Sequence, residues 1–349
     1  MAVKPLTLRS KDKLVLSLVV ESYLQEGKPV SSDLITRLRV LSDSPATIRN
    51  IMARLEAGGY LFKPHTSAGR VPTDKGLRLY VNDLLGSIPL AGERAVLFPA
   101  GSLADSSDLN SLLRQVSQML AEESDNLGFV LSPRISRITF NHIRFIRLSE
   151  NKVLVILLTT FNLVLNEIVL TSSNFIQQEL DEAAAYLNTG FRGKNLATVL
   201  DYLAKELPHY QGRSEPVVAR LVELLKAFMS QEKQTDPIYL QGASRLLDKA
   251  AEFHAEKLRA LFRHVEEKAR LARLISDFIS LERVKVLIGS EEDLPDMADC
   301  ALVLSHYGTK SQVLGSLGII GPKRIPYQRI IPLVDSIAVR LSQTISRNP

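Results

Sequence analysis

Arg49 and Asn50, with Arg54 close by and Ala46, Ala53 and Ala57 around them, are the residues whose types and spacing best suit a defined chemistry. At about 100° per residue, Ala46, Arg49, Asn50, Ala53 and Ala57 gather on one face of a helix, and Ile48, Met52 and Leu55 on the other. An arginine fork matches the two acceptors of guanine, and an asparagine amide matches the donor and acceptor of adenine, so Arg49, Asn50 and Arg54 would read or flank base edges. The alanines keep that face narrow enough for a major groove. An ordinary solvated helix face is the alternative reading of this helix taken alone.

No other constellation competes. His65, His142, His209, His254, His264 and His306 are scattered, and no HExxH or CxxC spacing occurs, so no metal is expected. Cys300 stands alone among Ala298 and Ala301 to Leu304, as a small buried residue would. Gly315, Gly318 and Gly321 precede Pro322-Lys323-Arg324 without P-loop order, which suits a tight structural crossing better than a phosphate cradle. Glu291, Glu292 and Asp293 have no histidine partner nearby and read as solvated, and no Gly-x-Ser-x-Gly motif is present. The expectation is a protein that is not an enzyme and holds no cofactor.

The elements that must position Arg49 and Asn50 are legible on both sides. Ser44 caps the helix, Pro45 fits its first position and Gly58-Gly59 end it. Upstream, Ser10 to Gln25 carries Leu14, Leu18, Val19 and Leu24 at helical spacing. Gly27-Lys28-Pro29 follow, and Ser31 or Ser32 caps a second helix through Leu34, Ile35 and Leu38. Downstream, two short extended runs between Tyr60 and Val71 flank Lys63-Pro-His-Thr-Ser-Ala-Gly-Arg70. Such a wing would set Lys63, His65, Thr66, Ser67 and Arg70 on a phosphate backbone or minor groove, with Thr47 as a further backbone contact. A helix capped by Thr73 runs to about Leu85 with Leu77, Tyr80, Val81 and Leu84 inward. The pattern predicts a winged helix-turn-helix.

Charge supports that reading. Residues 1–85 hold thirteen Lys and Arg against eight Asp and Glu, and the remainder of the 349 residues holds thirty of each. All of the net +5 therefore sits where a polyanion would bind. Met1 to Arg9 lacks the apolar core of a signal peptide, and the most apolar run, Val153 to Leu158, is far short of the ~20 residues that span a membrane. With a single cysteine, the chain suits a reducing cytoplasm.

Beyond the winged helix, residues 86–110 read as a linker rich in Pro, Gly and Ser, followed by a helix over about 111–123. Strands are expected at Gly128–Leu131, Ile138–Leu148, Lys152–Thr160 and Leu163–Leu170, joined as one antiparallel sheet. Helices follow near Leu180–Leu187, Leu196–Leu207 and Val217–Met229, then one long helix over 243–278. Strands return near 284–289, 301–305 and 313–320, and a helix over Tyr327–Ile345 closes the chain. Strands, helices and strands again predict a sheet domain interrupted by a helical insertion.

The runs Pro45-Ala-Thr-Ile-Arg-Asn50, Leu55-Glu56, Gly59-Tyr-Leu61 and Pro64-His-Thr-Ser-Ala-Gly-Arg-Val-Pro-Thr-Asp-Lys-Gly76, with Ile288-Gly289, Gly315-Ser-Leu-Gly-Ile-Ile-Gly-Pro322 and Tyr327, closely resemble the HrcA family of bacterial heat-inducible transcription repressors. Two positions depart from it: Ile51 stands where the family usually has an acidic residue, and Pro45 where it usually has serine. The resemblance implies an α+β multidomain chain: a winged helix (1–85), a linker (86–110), and a GAF-like α/β domain (111–175 and 279–349) interrupted by an inserted helical dimerisation domain (176–278). It implies a homodimer that binds an inverted-repeat operator on double-stranded DNA before chaperonin and chaperone genes. The chaperonin keeps such a repressor active until heat diverts it. A regulator sensing a small ligand through the GAF-like domain is the alternative function, and an enzyme tethered to DNA a third.

Overall fold

A computed structural model describes residues 8–65, 68–88, 109–133, 138–160, 164–206, 214–230, 238–277, 283–289, 291, 297–308 and 312–347. The chain opens with helices α1 (Ser10–Glu26), α2 (Ser32–Arg37) and α3 (Pro45–Ala57). A two-stranded antiparallel hairpin of β1 (Leu61–Phe62) and β2 (Val71–Pro72) leads into α4 (Asp74–Ser87). Side chains cap three of these helices as their sequences foretell. Ser31 accepts from the Leu34 N–H at 3.2 Å, Ser44 from Thr47 at 3.2 Å and Thr73 from Gly76 at 3.1 Å. Most of the expected linker, residues 89–108, lies outside the described residues.

Helix α5 (Leu109–Ser124) precedes β3 (Leu127–Leu131), and a separate run of strands follows: β4 (Phe140–Ser149), β5 (Lys152–Thr159) and β6 (Val164–Leu170). Then come α6 (Gln177–Gly190), α7 (Leu196–Glu206), α8 (Ser214–Ser230), β7 (Ile238–Gln241), α9 (Ala243–Asp248), α10 (Ala255–Glu266) and α11 (Lys268–Asp277). Strands β8 (Val284–Ile288), β9 (Cys300–Gly308) and β10 (Val313–Pro322) and helix α12 (Tyr327–Arg347) complete the chain.

The strands form two larger sheets where one was expected. β7-β3-β10-β9-β8 make a five-stranded antiparallel sheet, and β4-β5-β6 a three-stranded one. Burial explains the split. β3 and β10 are apolar and covered on both faces, whereas β5 alternates, with Val153, Val155 and Leu157 inward and Leu154, Ile156 and Leu158 half-exposed. Helices α6 to α8 close over the inner face of the smaller sheet, forming a core of their own around Phe140, Phe145, Leu180, Leu221 and Phe228. The interruption of the larger sheet thus begins with strands at about 138 and ends near 230, not over 176–278.

Two further corrections concern the stretch after 237. β7 pairs with β3 across Gly128↔Gln241 to Leu131↔Ile238, an edge strand of four residues that the sequence reading missed. The single helix expected over 243–278 is α9, a short 3-10 turn at Ala250–Glu252, α10 and α11. The Asp299 carboxylate fixes the break, accepting from the His254 backbone N–H at 2.8 Å and meeting its Nδ1 at 2.7 Å. Leu247, expected on the apolar stripe, is exposed.

The larger sheet is the middle of three layers. Val130, Val286, Val303, Leu317 and Ile319 face α5 and α12, in a cluster that continues without a break into Val19, Ile48, Met52 and Val81 of the N-terminal helices. Phe129, Leu131, Leu302, Leu304 and Ile320 face α9 to α11. Cys300 lies in that second layer, and burial pushes its thiol up to about 12, which keeps it protonated and inert. Strand β10 reaches its central place through glycine: a Cβ on Gly318 would collide with the Val303 carbonyl of β9, and one on Gly315 would lie 2.7 Å from the Leu131 carbonyl of β3. The GxxGxxG spacing is therefore a strand crossing. Gly318→Ala is expected to destabilise the protein by about 3 kcal/mol, at the upper end of overpacking costs, read as a lowered denaturant midpoint at unchanged slope.

Candidate nucleic-acid interface

Helix α3 presents the face its sequence foretells. Ile48, Ile51, Met52 and Leu55 are buried, while Ala46, Thr47, Arg49, Asn50, Ala53, Arg54 and Ala57 are exposed. Ile51, at the position where an acidic residue is usual, belongs to the inner face, so the departure falls on the core and not on the exposed side. Ser44 fixes the start of the helix through the Thr47 N–H, and the Thr47 hydroxyl lies 3.0 Å from the Ser44 hydroxyl. Arg49 and Asn50 make no side-chain hydrogen bond or ion pair among the described residues, leaving the guanidinium fork and the amide open to an external partner.

The other two arginines are engaged within the protein. Arg54 Nη2 binds Asp12 Oδ1 at 2.5 Å, and the Asp12 side chain is only 4 % exposed, so the guanidinium neutralises a buried carboxylate on α1. Its own side chain is 48 % exposed, leaving part of it on the surface beside Asn50. Arg70 exchanges two backbone hydrogen bonds of 2.8 Å with Val30, adding a third extended segment to the hairpin. Its Nε binds Glu56 of α3 at 2.8 Å, and the side chain is 14 % exposed. Arg70 thus braces the hairpin against the back of α3 more than it faces outward.

Lys63 and His65 are exposed at the tip of the hairpin, while Thr66 and Ser67 lie outside the described residues. Gly69 brings the returning segment so close to the Val30 carbonyl that a Cβ would collide with it. Thr73 gives its hydroxyl hydrogen to the Gly59 carbonyl at 2.7 Å, and Lys75 reaches the Gly58 carbonyl at 2.8 Å with its ammonium 4.3 Å above the Tyr60 ring. The end of α3, the hairpin and the start of α4 are therefore tied by one set of contacts. Sequence reasoning missed Asp12, Glu56 and Lys75. Asp12 had a signal: it lies one turn before Leu16 on the apolar side of α1, where an unpaired carboxylate would be costly.

The comparisons with known proteins carry the arrangement to a family. Residues 110–331 match the HrcA protein C terminal domain. The heat-inducible transcription repressor HrcA of Geobacter sulfurreducens is 33 % identical over 96 % of this chain and 97 % of its own. The chain belongs to the HrcA family. The HrcA repressor of Xanthomonas axonopodis pv. citri is 37 % identical over 93 % of this chain and 92 % of its own. A crystal structure described as that of a hypothetical protein, 25 % identical, shares the fold with a TM-score of 0.64 over 98 % of this chain and 100 % of that one. HrcA members are heat-inducible transcription repressors, a function carried by binding and not by turnover, and this chain is a heat-shock transcription repressor. Among the described residues no helix is long and apolar enough to cross a membrane, and no cluster of His, Cys, Asp and Glu is placed to hold a metal.

Engagement and openness separate the expected effects of substitution. Asn50→Ala is expected to cost about 1–3 kcal/mol on a cognate duplex and little on random DNA, compared by fluorescence anisotropy. Arg54→Ala leaves Asp12 buried without its counter-charge, so it is expected to lower stability by about 1–3 kcal/mol, and Asp12→Ala/Arg54→Ala together by less than the sum of the single changes.

Proposed function

We propose that this repressor acts as a homodimer on double-stranded DNA in the cytoplasm, each N-terminal unit (1–85) serving as a winged helix that reads one half of an inverted-repeat operator. The open Arg49 and Asn50 on the narrow face of α3 carry the reading. They have the right donors for guanine and adenine and, among the described residues, no internal partner. Thr47, Lys63, His65, Thr66 and Ser67 hold phosphates; Arg54 and Arg70 contribute mainly by fixing α3 and the hairpin. The net positive charge of residues 1–85 favours approach to any duplex and leaves sequence choice to α3.

The five-stranded sheet with its flanking helices is the GAF-like domain, and the interruption over about 138–230 is the inserted dimerisation domain. Its helices cover one face of the small sheet; the other face supports the dimer reading. Val164, Ile168 and Leu170 are 57, 53 and 62 % exposed, and Ile168 pairs across the sheet with Leu154, Val164 with Leu158. An open apolar sheet face on a folded protein calls for a cover, and in a two-fold dimer a second copy of the same face supplies one. The chaperonin maintains the active dimer, and heat, by occupying the chaperonin with other clients, relieves repression.

A gel-shift titration of the purified protein against a family-type inverted repeat and a scrambled duplex, at two salt concentrations and with or without chaperonin, tests the whole reading. Expected is tight, salt-sensitive binding to the repeat alone, strengthened by chaperonin; equal binding to both duplexes in all conditions refutes it. Ile168→Asp is expected to weaken dimerisation by on the order of 100-fold or more through a desolvated charge in the interface. Light scattering checks this, and an unchanged dimer at micromolar concentration refutes the assigned face.

A further inference from the structure

Two stretches far apart in the sequence meet at one polar joint between α4 and the edge of the five-stranded sheet. Asp74, the first residue of α4, holds Lys323 Nζ at 2.9 Å. Gly289, with φ +63°, passes so close that a Cβ there would collide with the Asp74 carboxylate. One turn along α4, Arg78 grips Glu291 with two nitrogens, Nε to Oε1 at 2.7 Å and Nη2 to Oε2, and also reaches the Val286 carbonyl at 2.6 Å. Glu291 is itself held by the Ile288 N–H at 2.9 Å. The Lys323 backbone is held in turn, its carbonyl accepting from the buried Tyr327 hydroxyl at 2.9 Å.

The energetics of these contacts do not match a purely stabilising role. The side chains of Arg78 and Glu291 are 26 and 28 % exposed, those of Lys323 and Asp74 31 and 36 %. Ion pairs that keep a quarter to a third of each side chain in water add only modestly to attachment. The shared apolar cluster already attaches α1, α3 and α4 to α12 and the sheet. What an apolar contact does not supply is direction, whereas a bidentate arginine–carboxylate pair fixes both distance and angle. α4 is fastened to the end of α3 through Thr73 and Lys75, so an angle fixed at α4 is passed to the reading helix.

We propose that Asp74 and Arg78, acting on Lys323 and Glu291, are positioning residues for DNA recognition. They set the angle of each α3 to the sheet and hence the half-site separation that the dimer accepts. The inference rests on the dimeric operator reading above. Each added base pair turns one half-site by about a tenth of a helical turn, so a rigid dimer must discriminate sharply between separations.

The test uses the full-length protein and an inverted repeat that the wild type selects from random duplexes. Wild type, R78Q, K323D and K323D/D74K are titrated by gel shift on that repeat, on repeats with one or two base pairs added or removed, and on a single half-site. The wild type is expected to lose roughly 10-fold or more per base pair of misfit, and R78Q and K323D to fall to within about 3-fold across separations. Half-site binding and melting temperature should stay near wild type in both, and K323D/D74K should regain spacing discrimination relative to K323D. Unchanged spacing preference in R78Q and K323D overturns the inference, and so does parallel loss of half-site binding and melting temperature, which marks a structural role alone. A wild type that selects no inverted repeat defeats the operator reading itself, a failure visible before any variant is tested.

Discussion

Close approach of backbones at β10 is the constraint on which the C-terminal half depends. The strand sits between β3 and β9 with both faces covered, and at Gly315 and Gly318 neighbouring carbonyls occupy the space a side chain would take. At Gly321 the Asn126 side chain stands in that place. β10 thereby fixes where Pro322, Lys323 and the start of α12 emerge, and with them the partner that Asp74 finds. At Gly315 and Gly318 the register is strict, because a Cβ there must displace main chain and not a flexible side-chain end. The geometry of the N-terminal helices is thus linked, through Lys323, to glycines in the middle of a sheet.

At the other end of the molecule, the outward face of α3 is a by-product of what its inward face buries. With Ile48, Ile51, Met52 and Leu55 committed to the core, the helix has one rotational setting, and Arg49 and Asn50 are what remains outside. The positive residues nearby divide by whether an internal carboxylate claims them. Arg54 and Arg70 are claimed, by Asp12 and Glu56; among the described residues Arg49 and Lys63 are not. An arginine held by a carboxylate has already surrendered much of its hydration and freedom, so it orients its helix well and offers phosphate less. Counting basic residues overstates the number available to DNA.

This division marks where the sequence was legible. The capped helices α2, α3 and α4 and the hairpin are governed by residues a few positions apart: Ser31, Ser44, Thr73, the glycine stop after Ala57. Local rules suffice there, and α3 was read to the residue. The pairing of β7 with β3 depends on residues over a hundred positions distant, and a four-residue strand has no periodicity to announce it. The helix expected over 243–278 has no glycine or proline to signal its breaks; the one before α10 is held by Asp299, just ahead of β9. The split into two sheets left no trace in composition: Val153–Leu158 is as apolar as Leu127–Leu131, and only burial, continuous in the one and alternating in the other, separates them. The candidate site divides in the same way: the exposure of Arg49 and Asn50 follows from local pattern, whereas the pairing of Arg54 with Asp12 and of Arg70 with Glu56 depends on other elements.

The thirteen-residue block from Pro64 to Gly76 takes a different meaning in this light. It would be natural to read so specific a run beside the exposed face of α3 as DNA-contacting throughout. Most of the described part of it is instead occupied with geometry. Gly69 packs on Val30, Arg70 on Glu56, Thr73 on Gly59, Asp74 on Lys323, Lys75 on Gly58 and Tyr60, and Gly76 against the Tyr60 carbonyl. Apolar burial is non-directional and can hold the N-terminal helices on the sheet without choosing their angle. Directional contacts must make that choice, and they demand particular residues at particular places, which is what gives a motif its specificity. A reader of DNA needs few contacts to bases and many to its own framework, because two base-reading side chains are useful only when everything behind them holds still.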